Sequence, residues 1–158
     1  MNTKKILLKK KKAKNKKFSF AVISDLHAYD PAKLEYKDNP PSYFTINESA
    51  STPNHPISDL FELIDKIELE ADFLLCAGDI GHQAHPNHIV SAWETIQKVG
   101  KKLKCRKIIA TSGNHDIDSR YNHNNFDAKG LLLSLNPPFP LSADDENNKY
   151  WARNYTII

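Results

Sequence analysis

Three short polar stretches in this sequence carry side chains that can bind a metal ion or move a proton, and each follows an apolar run. They are DLH (residues 25–27), GD (78–79) and GNHD (113–116). Their carboxylate oxygens, amide oxygens and imidazole nitrogens form a mixed donor set, which suits Mn²⁺, Fe or Zn²⁺ better than Ca²⁺. The glycine before Asp79 allows a sharp backbone turn that brings this carboxylate close to a cation. The residue types therefore indicate a metal site, provided that the fold brings the three stretches together.

The elements that would position these stretches are three strands separated by two helices. Apolar runs of strand length cover residues 18–25, 72–79 and 105–116, and apolar side chains recur at helical spacing in residues 57–67 and 88–103. Continuous apolar runs, rather than alternating ones, are typical of a parallel sheet that is covered on both faces. In such sheets ligands bind beyond the carboxyl ends of the strands. The sequence thus predicts an α/β fold in which the polar stretches meet at one edge of the sheet.

Two polar segments flank these elements. Residues 28–56 contain five prolines and read as a long loop, and loops of this length are usually functional or disordered. Residues 117–149 are polar and also contain prolines, whereas residues 150–158 form another apolar run that predicts a further strand. We expect the determinants of substrate specificity in residues 28–56 and 117–149.

The order and placement of the three polar stretches resemble the motifs of the calcineurin-like metallophosphoesterases. That family's pattern begins with D-x-H, continues with G-D-x-x-D and then has G-N-H-[DE]. This chain has DLH (25–27), GDIGH (78–82) and GNHD (113–116), so the resemblance runs from about residue 18 to residue 116. It implies a parallel-rich sheet flanked by helices, as part of a four-layer αββα sandwich. It also implies an enzyme that hydrolyses a phosphate ester with a water molecule activated by two divalent ions (Mn, Fe or Zn).

The resemblance also implies a role for each matching residue. Asp25 and His27 would hold the first metal, Asp79 would bridge both metals, and Asn114 would bind the second. His115 would face the substrate, either as the acid for the leaving group or as a stabiliser of developing phosphoryl charge. The next residue, Asp116, would orient His115 through a hydrogen bond.

Two departures from the family pattern shape the expectation for activity. Position 82 is histidine where the family usually has a second aspartate, and His82 could itself contact the site. No histidine follows His123, and the chain has no G-H-x-H motif, which the family needs for further ligands. We therefore expect residues 18–158 to be the truncated N-terminal portion of a phosphoesterase domain. Such a portion would have weak or no activity alone and an exposed apolar sheet face. The alternative is a non-catalytic metal- or nucleotide-binding module, or a decayed enzyme.

Other histidines leave two interpretations open. His82, His85 and His88 are spaced by three residues, and they could bind zinc as a trio or form a solvated loop beside the active site. His123, shortly after the GNHD stretch, could reach the substrate. The resemblance implies a phosphate-containing substrate, but the sequence does not distinguish monoesters, diesters, pyrophosphates, nucleotides and nucleic acids.

The charge of the chain is unevenly distributed. Residues 1–17 hold nine lysines and no acidic residue, whereas residues 18–158 hold 13 basic and 19 acidic residues. Self-repulsion predicts a disordered basic arm, which could contact nucleic acid or an anionic membrane, or could serve solubility alone. Its apolar run ILL is far shorter than the core of about 7–15 residues in a signal peptide. Cys76 and Cys105 lie in apolar runs, which favours buried reduced thiols and a cytoplasmic protein.

Overall fold

A computed structural model describes residues 17–46, 55–123, 127–141 and 144–153. Within these residues three parallel strands form one sheet in the order β1-β2-β3, namely β1 (Phe20–Ile23), β2 (Phe73–Cys76) and β3 (Lys107–Ala110). The register aligns Ile23 with Cys76 and Cys76 with Ala110, so the three strands end at the same level. The predicted α/β class and parallel sheet are confirmed, and all three polar stretches begin at the same edge.

Helices connect the strands, as the periodicity predicted. The helices are α1 (Pro56–Lys66), α2 (Pro86–Lys102), α3 (Asn114–Ile117), α4 (Ala128–Leu133) and α5 (Asp144–Arg153), with short 3-10 turns at Leu34–Tyr36 and His82–Ala84. Helix α1 begins with a proline, and the side chain of His55 caps it by accepting a 3.2 Å hydrogen bond from the N–H of Ile57. Proline fits this position because the first N–H of a helix has no partner inside the helix.

The hydrophobic core lies between one face of the sheet and helices α1 and α2. Because side chains alternate along a strand, Leu74 and Cys76 of β2 point to the same face, and both are buried. Among the described helices, α2 supplies the largest set of buried side chains. It packs close to β3, because Gly100 lies against the side chain of Ile108. The core side chains of α2 are Ile89, Ala92, Trp93, Ile96 and Val99.

The opposite face of β1 is open in the part of the chain that the structure describes. Phe20 and Val22 have 57% and 70% of their surface exposed, although they lie in the middle of an apolar strand. The continuous apolar run predicted cover on both faces, and this expectation is wrong for β1 within the described residues, where α1 and α2 pack on one face only. Within the described residues β1 thus has an exposed apolar face, while the truncation from which such exposure was expected stays a prediction.

The segment after β3 differs most from the sequence-based expectation. Residues 150–153 end helix α5 and do not form a strand, whereas residues 154–158 lie outside the described residues. A helix suits this segment because it places Asn147 and Trp151, which are four residues apart, on the same face. Both side chains make hydrogen bonds from that face. Trp151 donates a 3.0 Å hydrogen bond to the carbonyl of Phe139, and Asn147 accepts a 2.7 Å bond from the N–H of Leu141.

Three further expectations concern the cysteines, membrane spans and the basic arm. Cys76 is buried and Cys105 is half-buried, and both thiols are free. Burial raises the pKa of Cys76 to about 11, so this thiol is a packing group without nucleophilic character at neutral pH. Among the helices described, none has the length and apolar character needed to cross a bilayer. Residues 1–16, which make up nearly all of the basic arm, lie outside the described residues.

Candidate functional site

The backbone continues to pair beyond the ends of the strands and thereby brings the first two polar stretches together. The N–H of Asp25 donates to the carbonyl of Gly78 at 3.1 Å, and the N–H of His27 donates to the carbonyl of Asp79 at 3.0 Å. On the other side of β2, the N–H of Thr111 donates to the carbonyl of Cys76 at 3.0 Å. These bonds hold the three loops side by side, so that their side chains project from one rim.

Three of the predicted metal ligands adopt an unusual backbone conformation. The φ angles of Asp25, His27 and Asp79 are 54°, 44° and 51°, which lie in the left-handed region that residues with a Cβ rarely enter. Each such residue costs roughly 1 kcal/mol or more, and strain of this kind concentrates at functional sites. The surrounding hydrogen bonds must therefore hold these residues in place.

Two glycines make the closest approach between the loops. A methyl group on Gly78 would lie 2.5 Å from the backbone nitrogen of Gly113, and one on Gly113 would lie 2.1 Å from Oδ1 of Asp79. Gly78 also has a φ of 93°, which suits a residue without Cβ. Glycine at both positions allows the loop that carries Asp79 to touch the loop that carries Asn114.

Asp116 organises the backbone of this edge. Its carboxylate is fully buried and accepts hydrogen bonds of 2.8–3.2 Å from four backbone N–H groups, those of Asp79, Ile80, Gly81 and Gly113. Burial raises the pKa of Asp116 to about 6, against the lowering effect of the N–H donors. The expectation that Asp116 orients the ring of His115 is wrong, because these backbone groups occupy its lone pairs.

The ligand atoms of Asp25, His27 and Asp79 converge. One oxygen or nitrogen from each lies within 4.8 Å of the others, at the exposed rim of the sheet. Oδ2 of Asp25 also accepts a 2.6 Å hydrogen bond from the hydroxyl of Ser24. Two carboxylates and one imidazole fit a divalent transition metal, and Nδ1 of His27 is buried without a hydrogen-bond partner among the described residues.

Asn114 and His115 lie beside this group at the start of α3. Asn114 is exposed, and it lines a cavity of about 130 Å³ together with His115, Gln83, Arg120 and His123. The backbone N–H of His115 donates a 2.8 Å hydrogen bond to Oδ1 of Asp79, which ties this cavity to the converging carboxylates. His123, for which the sequence left contact with substrate open, thus lines the same cavity.

The ring of His115 has a defined hydrogen-bond partner. Its Nδ1 accepts a hydrogen bond from the N–H of Gln83 at 3.4 Å, so the neutral ring carries its proton on Nε2. Burial, together with the nearby His27 ring, lowers the pKa of His115. The residue can therefore present an N–H donor to a group in the cavity.

The trio His82, His85 and His88 does not form a metal site of its own. His88 is completely buried: its Nδ1–H donates to the carbonyl of His82 at 3.0 Å, and its Nε2 accepts from the N–H of Asp30 at 3.0 Å. Both nitrogens are thus occupied, and burial lowers the pKa of His88 to about 4. His85 stacks on His88 with ring centroids 4.3 Å apart. Neither a zinc trio nor a solvated loop describes His88.

His82 instead turns toward the rim. Its ring stacks on that of His115 with centroids 5.4 Å apart and lies 6.0 Å from that of His27. Burial, followed by the charges of His115 and His27, lowers the pKa of His82 to about 4. The sequence contained a signal for this contact, because residue 82 occupies the last position of the G-D-x-x-D pattern.

Comparison with known proteins places nearly the whole chain, and not only its motifs, in relation to a protein family. A family model described as calcineurin-like phosphoesterase matches residues 18–155, which extends well beyond the last sequence motif at residue 116. A search of curated proteins finds no match.

Proposed function

Because the chain belongs to the calcineurin-like phosphoesterase family, we propose that its sheet edge is a metal-dependent site for hydrolysis of phosphate esters. The observation that carries this proposal is the convergence of Asp25, His27 and Asp79, whose ligand atoms lie within 4.8 Å of one another. The hydrogen bond that the backbone N–H of His115 donates to Asp79 supports the proposal, because it keeps residue 115 close to the same group.

In this proposal four residues hold two divalent ions: Asp25, His27, Asp79 and Asn114. Support comes from the donor chemistry, because carboxylate, imidazole and amide groups together suit Mn²⁺, Fe or Zn²⁺. Asp79 would contribute to both ions, since a carboxylate has two oxygens. When bound, such ions neutralise developing charge on phosphoryl oxygens and lower the pKa of water.

The protein's own groups would position the ester and stabilise its developing charge. His115 would donate a hydrogen bond from Nε2–H to a phosphoryl or leaving-group oxygen, since its Nδ1 accepts from the N–H of Gln83. Arg120 lines the same cavity and would attract an anionic ester into it. Asp116 would act indirectly, because its four backbone hydrogen bonds hold the loops that carry the ligands.

The test is hydrolysis of bis(p-nitrophenyl) phosphate by the purified chain with Mn²⁺. We expect slow turnover that requires the metal and that Asp79→Ala abolishes, because this change removes the carboxylate at the centre of the site. Glu62→Ala is the matched control, since Glu62 is an exposed carboxylate of α1. Turnover in the Asp79 variant equal to that of the wild-type chain would remove Asp79 from the metal site.

The second candidate function is metal binding without catalysis. The observation that favours it is His82, which stands where the family pattern usually has a second aspartate, so that the donor set departs from that pattern. A chain of this kind would bind Mn²⁺ through Asp79 but release no nitrophenol. Binding without turnover would therefore support the non-catalytic module over the hydrolase.

A further inference from the structure

Three imidazole rings meet at the rim of the sheet, and each comes from a different loop. His27 follows β1, His82 lies in the turn after β2, and His115 belongs to α3. One ring nitrogen from each lies within 4.8 Å of the other two. The ring centroids of His27 and His115 are only 4.6 Å apart.

The rings of His27 and His82 have unused hydrogen-bonding capacity. Nδ1 of each is buried and finds no hydrogen-bond partner among the described residues. Buried polar atoms in native proteins nearly always have a partner, and an atom left without one destabilises the fold. A bound cation would satisfy ring nitrogens of this cluster.

We propose that His27, His82 and His115 form a nitrogen-only site for Zn²⁺, distinct from the carboxylate-rich group of Asp25, His27 and Asp79. Imidazole nitrogens favour Zn²⁺, whereas carboxylate oxygens favour Mn²⁺. His27 belongs to both groups, so the two positions compete for its ring. The histidine at position 82, where the family pattern has aspartate, is what creates the second position.

The spacing of the rings is compatible with this site after a small adjustment. Nitrogens bound to one tetrahedral Zn²⁺ at about 2.0–2.1 Å lie about 3.3 Å apart. The present limit of 4.8 Å therefore requires shifts of the order of 1 Å, which rotations of the side chains at this rim supply. Binding through Nε2 of His115 moves its proton to Nδ1, so the 3.4 Å hydrogen bond from Gln83 is lost and the ring must turn to separate the two N–H donors.

Occupation of this site has a functional consequence. A His115 ring that binds a cation through Nε2 has no proton there to donate. If the proposed hydrolase function holds, Zn²⁺ at the three histidines therefore suppresses turnover that Mn²⁺ supports. The binding site itself does not depend on hydrolysis, so it is tested without any substrate.

The experiment is a titration of the purified chain with Co²⁺, which replaces Zn²⁺ and gives visible absorption that reports ligand number. We expect an intense band typical of four-coordinate Co²⁺ in the wild-type chain. His82→Gln should weaken binding about tenfold or more and remove this band. Two controls should keep both: His85→Gln, which removes a neighbouring histidine outside the cluster, and Glu62→Gln, which removes an exposed carboxylate of α1.

Two results would overturn the proposal. The first is a His82→Gln chain that binds Co²⁺ as tightly as the wild-type chain. The second is loss of Co²⁺ binding in an Asp25→Asn chain, which would place the ion among the carboxylates. Circular dichroism shows whether each variant is folded. If His82→Gln does not fold, the ¹⁵N resonances of the wild-type imidazoles decide the question. Zn²⁺ should then shift the signals of His27, His82 and His115, and a shift confined to His27 would contradict the site.

Discussion

The backbone N–H of His115 and the carboxylate of Asp79 form a 2.8 Å hydrogen bond that joins the two loops of the candidate site. The backbone N–H of Asp79 in turn donates to the carboxylate of Asp116 at 2.8 Å. Oδ1 of Asp79 is therefore held by its neighbours, whereas none of the hydrogen bonds described above between the loops involves Oδ2. Structural and metal-binding contributions of Asp79 can be separated by substitution.

Asp79→Asn should separate them. Asparagine retains an oxygen that can accept the hydrogen bond from His115 but lacks the negative charge, so we expect a melting temperature close to that of the wild-type chain and much weaker Mn²⁺ binding. Asp79→Ala should also lose the hydrogen bond, which is worth about 1–2 kcal/mol of unfolding free energy. Thermal unfolding and calorimetric Mn²⁺ titration of both variants measure these effects. Equal Mn²⁺ affinity in Asp79→Asn and wild type would show that the charge is not needed.

Gly113→Ala should disrupt the site through crowding. The added methyl group would lie 2.1 Å from Oδ1 and 2.5 Å from the backbone nitrogen of Asp79, so the backbone of one loop must move. We expect a loss of about 1–3 kcal/mol in unfolding free energy, together with loss of Mn²⁺ binding.

Gly100→Ala is the matched control for crowding. Its added methyl group would first meet the flexible end of Ile108, at 2.6 Å, and alanine also favours the helix. Chemical denaturation should show a smaller change for this variant, with metal binding retained. A Gly113→Ala chain as stable as the wild type would mean that the two loops are not held as close as described.

His115→Ala should affect Mn²⁺-supported turnover and Zn²⁺ binding in different ways. Loss of the Nε2–H hydrogen-bond donor should lower kcat about 10²–10³-fold, while Mn²⁺ affinity remains unchanged because the carboxylate-rich group is intact. Zn²⁺ affinity should fall in the same variant, since one of three imidazoles is missing. Kinetics and metal titrations on one preparation provide the comparison. A fall in Mn²⁺ affinity would instead make His115 a ligand of the carboxylate-rich group.

The stability of the chain should depend on His88 between pH 6.5 and pH 4. Burial lowers the pKa of His88 from 6.5 to about 4, so the unfolded chain binds a proton in this interval and the folded chain does not. This contribution to stability is therefore complete above pH 6.5 and is lost as the pH falls toward 4, by at most about 1.4 kcal/mol per unit. The charged and titratable groups around this ring are His82, His85, Lys33 and Asp30.

His88→Gln tests this dependence, because glutamine does not titrate and can still accept the hydrogen bond from Asp30. Urea unfolding of both chains at several pH values should show a shallower slope for the variant below pH 6.5. His123→Gln, which changes an exposed histidine, should leave the slope unchanged. Identical slopes for wild type and His88→Gln would show that His88 is not the group responsible.

The sequence predicted the sheet and its functional edge because both follow from local patterns. Three continuous apolar runs indicate parallel strands, and parallel strands place their carboxyl ends together, so the convergence of Asp25, His27 and Asp79 could be anticipated. The order of the motifs added the family. Neither inference required knowledge of how distant side chains pack.

Features that depend on long-range contacts could not be predicted in the same way. Asp116 was expected to bond the adjacent His115, but its partners include backbone groups 35–37 residues away. The spacing of His88 from other histidines suggested a zinc ligand or a loop residue, whereas its hydrogen-bond partner Asp30 lies 58 residues away. The apolar residues at 150–153 fit a strand as well as a helix until the contact of Trp151 with Phe139 is known.

The alignment of Ile23, Cys76 and Ala110 at one level makes strand length as important as ligand identity. Deleting a single residue between Phe73 and Asp79 would withdraw the carboxylate by about 3.3 Å. It would also turn the side chains on one side of the deletion to the opposite face of the sheet. Insertions and deletions should therefore be excluded from these four-residue strands even where individual side chains can be exchanged, so that spacing, more than composition, constrains how this part of the chain can evolve.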